Sequence, residues 1–116
     1  MASGIIPNTG FTLLWTNNSP NSNFSAQTVP LDLSNWNMIA ILCKTSTDGT
    51  GYNITFMVTD GNTYILTVGN IATTQYFYKR GASADETGVT FQTGNRNNSG
   101  SQGTNYCIPL AIYGVC

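Results

Sequence analysis

Few side chains here can do acid–base or metal chemistry, and their spacing works against it. The 116 residues contain no histidine, which removes imidazole as a metal ligand, as a general base and as the middle member of a Ser-His-Asp triad. The one carboxylate pair, Asp85-Glu86, is adjacent in sequence. Neighbours on a strand point to opposite faces, so these two cannot flank a glycosidic bond, and a solvated loop is the expected setting. Asp48-Gly-Thr and Asp60-Gly-Asn look superficially like calcium loops but lack clustered oxygen ligands, so both read as turns. Tyr, Lys and Asp side chains remain for acid–base work, with no spacing that assembles them. Cys43, Cys107 and Cys116 form an odd set without metal-ligand spacing. Cys43 and Cys107 sit in apolar runs and read as buried reduced thiols, a disulfide between two of the three being the alternative. No metal, cofactor or catalytic residue is expected.

Amides are plentiful instead. Two polar stretches, Asn17–Asn23 and Gly94–Asn105, carry side chains that donate and accept hydrogen bonds in one plane, as recognition of sugar hydroxyls requires. The candidate ligand-binding residues are Asn17, Asn18, Asn21, Asn23, Asn95, Arg96, Asn97 and Asn98, with Tyr52 as a flat face for a pyranose ring. Tyr64, Tyr76, Tyr78 and Trp36 are further ring faces. The plainer reading is that Asn/Ser/Gly stretches are solvated turns, and that Trp15 and Trp36, amid apolar residues at strand edges, belong to the core. Lys79-Arg80, the sole basic pair, reads as a strand end. Asn-X-Ser/Thr triplets at Asn17, Asn23, Asn53 and Asn97 are chance matches in an Asn-rich chain.

Four Lys+Arg against five Asp+Glu leave a net charge of −1, with charged residues only 8% of the chain. That balance has no counterion-release footprint, so nucleic acid is not an expected partner. No stretch approaches 20 apolar residues, and no membrane association is expected.

The elements that must position these groups are strands. Turn signals recur every eight to twelve residues and no helical period appears, which points to an all-β, antiparallel two-sheet sandwich, jelly-roll-like, of about eight short strands. They are expected near Thr12–Thr16, Ser25–Leu31, Asn37–Lys44, Tyr52–Thr59, Thr63–Val68, Thr73–Arg80, Gly88–Thr93 and Tyr106–Val115. Residues 1–10 read as a linker or N-terminal extension and residues 11–116 as a single domain. The closing strand is apolar on both faces, with Ile108, Leu110 and Ile112 on one side, so it should lie between two neighbours. Asn37–Lys44 is likewise two-sided and should be central and covered on each side, a short buried helix being the alternative. Asp60-Gly61-Asn62 is expected to close a tight hairpin. Ile54, Phe56 and Val58 are expected to face the core, as are Val89 and Phe91. In Tyr76-Phe77-Tyr78, Phe77 is favoured inside. Gly94–Asn105 reads as a surface loop.

Leu14-Trp-Thr-Asn-Asn-Ser-Pro20, Phe24-Ser-Ala-Gln-Thr-Val-Pro-Leu-Asp-Leu-Ser34, Gly88-Val-Thr-Phe91 and the closing Asn105 to Gly114 stand in a characteristic order and spacing. Together they resemble the C-terminal modules of tail fibre and baseplate-associated proteins from phages and prophages of Gram-positive, gut-type bacteria. The chain departs from that pattern at Cys116, where a basic residue often stands. The resemblance implies a non-enzymatic virion module, assembled in the bacterial cytoplasm, that attaches to a host surface polysaccharide. A structural capping or oligomerisation role is the alternative. It also implies a homo-oligomer, a trimer by analogy.

Overall fold

Alternating side chains punctuated by Gly, Asn, Asp and Ser turns produce nine strands in the computed structural model, which describes residues 10–70, 76–96 and 102–115. These are β1 (Phe11–Thr16), β2 (Gln27–Pro30), β3 (Met38–Ser46), β4 (Tyr52–Val58), β5 (Thr63–Asn70), β6 (Tyr76–Asp85), β7 (Gly88–Arg96), the short β8 (Gln102–Gly103) and β9 (Tyr106–Val115). No helix occurs among the described residues. The strands form two antiparallel sheets, sheet A in the order β1-β9-β3-β4 and sheet B in the order β2-β7-β6-β5, with β8 added to β7. The fold is a two-sheet sandwich, as the turn spacing requires. The first strand of each sheet pairs with a late one, β1 with β9 and β2 with β7. Inside that wrap, β3–β4 and β5–β6 are local hairpins.

The core lies between the sheets. Ile39, Ile41 and Cys43 enter it from β3, Ile108 and Ile112 from β9, Leu66 and Val68 from β5, Ala82 and Ala84 from β6, and Val89 and Phe91 from β7. As its two apolar faces demand, β9 is inserted between β1 and β3. A bulge in β9 lies beside Pro109, which has no N–H for a ladder: the register with β3 shifts between Leu42 and Cys43, leaving Leu110 as the extra residue, and Cys107 further back takes a φ of 51°. Trp36 lies so close to Gly114 that a Cβ there would come within 2.5 Å of the indole ring.

Several expectations fail, each for a physical reason. Asp60-Gly61-Asn62 does form a tight turn, with Gly61 at φ 82°, but β4 belongs to sheet A and β5 to sheet B. It is therefore a corner between layers rather than a hairpin. Ile54, Phe56 and Val58 point outward, being 38%, 51% and 41% exposed, while Met57 between them is buried. At that edge the inner side of β4 meets the β5 backbone, where Asn53 Nδ2 donates to Thr67 O at 2.9 Å, so polar and flexible residues suit the inside. β3 is central in its sheet but covered by a second layer on one side only; Met38 and Leu42 face outward. Phe77 is exposed and Tyr78 is buried, because Tyr78 shares the inward side of β6 with Ala82 and Ala84. The beginning of the expected Thr73–Arg80 strand lies outside the described residues. The expected Gly94–Asn105 loop is shorter than its composition suggests: β7 runs on through Arg96, and β8 pairs back onto it at Gly94 and Asn95.

Candidate functional site

The connections separate by end. Residues 17–26, 47–51 and 104–105 lie at one end of the sandwich, tied by Phe24 N–H to Thr104 O at 2.8 Å and Thr47 N–H to Asn105 O at 3.1 Å. Residues 31–37, 59–62 and 86–87 lie at the other, where Leu31 N–H donates to Thr87 O, Leu33 N–H to Glu86 O and Gly61 N–H to Ala84 O. The described candidate residues all belong to the first end. Asn97 and Asn98 lie outside the described residues.

Each candidate is held differently. Asn17 is committed to the fold: its N–H donates to Leu110 O at 2.8 Å, its Nδ2 donates to Pro109 O at 2.9 Å, and its Oδ1 accepts from Ser19 N–H at 2.8 Å. It caps the β9 bulge and has little left for a ligand. Asn21 Oδ1 accepts from Lys44 Nζ at 2.6 Å, and Lys44 also donates to Thr47 O at 3.1 Å. Lys44 is only 5% exposed, so this ammonium anchors the 17–26 connection to β3. Tyr52, opposite Lys44 in the β3–β4 ladder, is 60% exposed. Asn18 and Asn23 are exposed on the same connection, and Asn18 borders a shallow groove of 380 Å³ along Leu13–Thr16. Asn95 and Arg96 sit half-buried on β7, with the Arg96 guanidinium 5.6 Å from the centre of the Tyr106 ring. The structure thus sets Asn21 and Tyr52 against Lys44, leaves Asn18 and Asn23 exposed on the connection that Asn21 anchors, and places Arg96 beside Tyr106.

Beneath this end lies a cation that the reading of Lys79-Arg80 as a strand end missed. Arg80 is fully buried in mid-strand. Its Nε donates to Cys107 O at 2.8 Å, Nη1 to Gln92 O at 2.6 Å and Nη2 to Tyr106 O at 2.8 Å. The guanidinium lies 5.3 Å from the centre of the Phe24 ring, and Phe24 packs edge-on against Phe91 at 5.2 Å. No carboxylate pairs with Arg80 among the described residues. Its charge is spread over three backbone dipoles and a ring face, and burial holds its pKa below the usual arginine value. Period two was the available signal, since Arg80 falls in step with Tyr78 and Ala82. This side chain ties sheet B to the start of β9 and so supports the floor under the connections.

The acidic side chains and thiols among the described residues lie apart from these groups or are held in turns and core. Asp32, Asp60 and Asp85 are exposed in turns at the opposite end. Each accepts from the residue two positions on: Ser34 N–H and Oγ at 3.1 and 2.6 Å, Asn62 N–H at 3.0 Å, and Thr87 N–H and Oγ1 at 2.8 and 2.5 Å. These bonds hold all three carboxyls below their ordinary pKa, led by the Ser34 hydroxyl, the Asn62 N–H and the Thr87 hydroxyl respectively. Asp48 accepts from Ser46 Oγ at 3.1 Å. Cys43 and Cys107 are free buried thiols. The Cys43 thiol is pushed well above its usual pKa, first by its hydrogen bond with Cys107 and then by burial, which suits an inert core group. Among the described residues no three His, Cys, Asp or Glu side chains gather as a metal site. What the end presents is amides, a phenol and the half-buried Arg96, a chemistry of hydrogen bonding and stacking. Comparison with protein-family models and with curated proteins finds no match to this chain.

Proposed function

We propose that this chain is a non-enzymatic phage virion module, part of a tail fibre or baseplate, that attaches to a host cell-surface glycan through its amide-bearing end. The observation that supports the reading is the exposure of Asn18, Asn23 and Tyr52 at one end of the sandwich, where Asn21 of the same connection is held by the buried Lys44. Amides offer planar donor–acceptor pairs to hydroxyls, and the tyrosine offers a ring face. Anchoring through Lys44 and Arg80 reduces the ordering cost when a ligand arrives. Each site would bind weakly, and display of several copies on a virion would multiply the affinity through effective concentration.

The test is binding of the protein to whole host bacteria and to their purified wall polysaccharides. Binding that is lost in an N18A/N23A/Y52A variant of unchanged circular dichroism supports the reading. Absence of binding to every susceptible host overturns it, and release of new reducing ends from the polysaccharide overturns its non-enzymatic part. A second reading, a structural module that assembles the virion protein without receptor contact, is favoured by one observation: the apolar outer face of sheet A.

A further inference from the structure

The outer face of sheet A carries Phe11 and Leu13 from β1, Met38 and Leu42 from β3, Ile54, Phe56 and Val58 from β4, and Tyr113 from β9. Phe11 and Leu13 are 51% and 55% exposed, as open as Phe56. The small, fully buried Ala40, in register between Tyr113 and Phe56, leaves room for rings to meet across the sheet. The Phe11 ring lies 5.8 Å from those of both Phe56 and Tyr113. Four strands at about 4.8 Å spacing and about 20 Å of length give a footprint on the order of 400 Å². That is within the size of the largest apolar patch on an ordinary monomer, about 300–600 Å², and such patches are often functional. Two such faces closing together remove on the order of 800 Å² in projection, and side-chain relief and the rim bring this to the about 1,000 Å² that a specific interface needs.

Charge points to the occupant. Asp32, Asp60, Asp85 and Glu86 belong to the 31–37, 59–62 and 86–87 end, whereas all four cations, Lys44, Lys79, Arg80 and Arg96, lie in the other half with Asp48 as its one carboxylate. Two copies stacked with their long axes opposed place the acidic end of each beside the basic end of its mate. Face-to-face sheets pack with strand directions within about 30°, which a two-fold axis lying in the interface plane across the strands satisfies. We infer that a second copy of this chain covers the outer face of sheet A, in a two-fold, end-inverted dimer. This needs no receptor and shares with the glycan reading only Tyr52, which stands on the same side of β4 as Ile54 and Phe56.

Solution mass with Phe56→Glu, Leu13→Glu and, as control, Thr90→Glu on the outside of sheet B tests it. The expected result is a mass of two chains for the unaltered protein and for T90E, halved in F56E and L13E with circular dichroism unchanged. A second measurement needs no variant. Met38, 37% exposed in the single chain, should oxidise several-fold more slowly in peroxide at high protein concentration than after dilution. A single-chain mass at all concentrations, a three-chain mass, two-chain mass retained in both folded glutamate variants, or concentration-independent Met38 oxidation overturns the inference.

Discussion

Outside sheet A stand Phe11, Leu13, Met38, Phe56 and Val58; outside sheet B stand Thr28, Thr90, Gln92 and Ser83, with Ile65 and Phe77 as apolar exceptions. Thr28 and Thr90 join their hydroxyls across β2 and β7 at 3.0 Å, a cross-strand pair suited to water. Both sheets obey the same alternation, sheet A sending Ile39, Ile41, Ile108 and Ile112 inward and sheet B Leu66, Val68, Val89 and Phe91. Only sheet A is apolar on its other side as well. Alternation therefore tells which residues share a face, but the core is the face that another layer covers. In β4 the more apolar set lies outside, an arrangement that makes sense for a surface awaiting a partner.

The contrast breaks most severely from within. Arg80→Leu leaves the Cys107, Gln92 and Tyr106 carbonyls without their donor in a dry interior, and should cost about 3–5 kcal/mol. Urea unfolding measures it, and a loss under about 1 kcal/mol would show that water reaches these carbonyls. Next in size is the adjacent pair on β4. Met57→Ala should cost about 2–4 kcal/mol through transfer and cavity terms, whereas Phe56→Ala, on the outer face, should cost about 1 kcal/mol or less in dilute single chains. Equal losses would mean that the two sides of β4 are assigned wrongly.

The smallest effect lies in the acidic turns at the end away from the amides. Asp32, Asp60 and Asp85 have lowered carboxyl pKa values in the folded protein. Their contribution is therefore complete above the unfolded carboxylate value of about 3.9 and disappears as pH falls through the lower folded values. A D32N/D60N/D85N variant should be less stable than the unaltered protein at neutral pH, converge with it as pH falls below about 4, and so show a weaker acid dependence. An unchanged acid transition in chemical denaturation would assign that sensitivity to other groups.

The strand order of events was legible in the chain because turn residues and period-two runs are local signals. Thr12–Thr16 and Tyr106–Val115 emerge as strands within a residue of expectation, and Val89 and Phe91 share the core as their spacing indicates. What local pattern cannot carry is the layer a strand joins. Asp60-Gly61-Asn62 has the same chemistry whether it closes a hairpin or turns a corner, and the difference is decided by distant partners of β4 and β5. Tyr78 and Phe77 are both large and aromatic, so only the register with β7 separates them. At the candidate site the amide-rich composition was visible, and Asn21, Asn23 and Tyr52 do belong to one end. The commitment of Asn17 to Pro109 was not visible, because that bond spans 92 positions. Lys44 was hidden for the same reason, its partner Asn21 lying 23 positions earlier.

The place of β9 has a consequence for biosynthesis. This strand is the last of the nine to leave the ribosome, yet it occupies the interior of sheet A and joins Val115 to Phe11, residues about a hundred positions apart, a pairing of high contact order. Until it arrives, β1 has no neighbour and one long side of β3 lies open. Nascent chains therefore carry bare strand edges that can pair between molecules, and acquisition of the native fold must wait for synthesis to reach this segment.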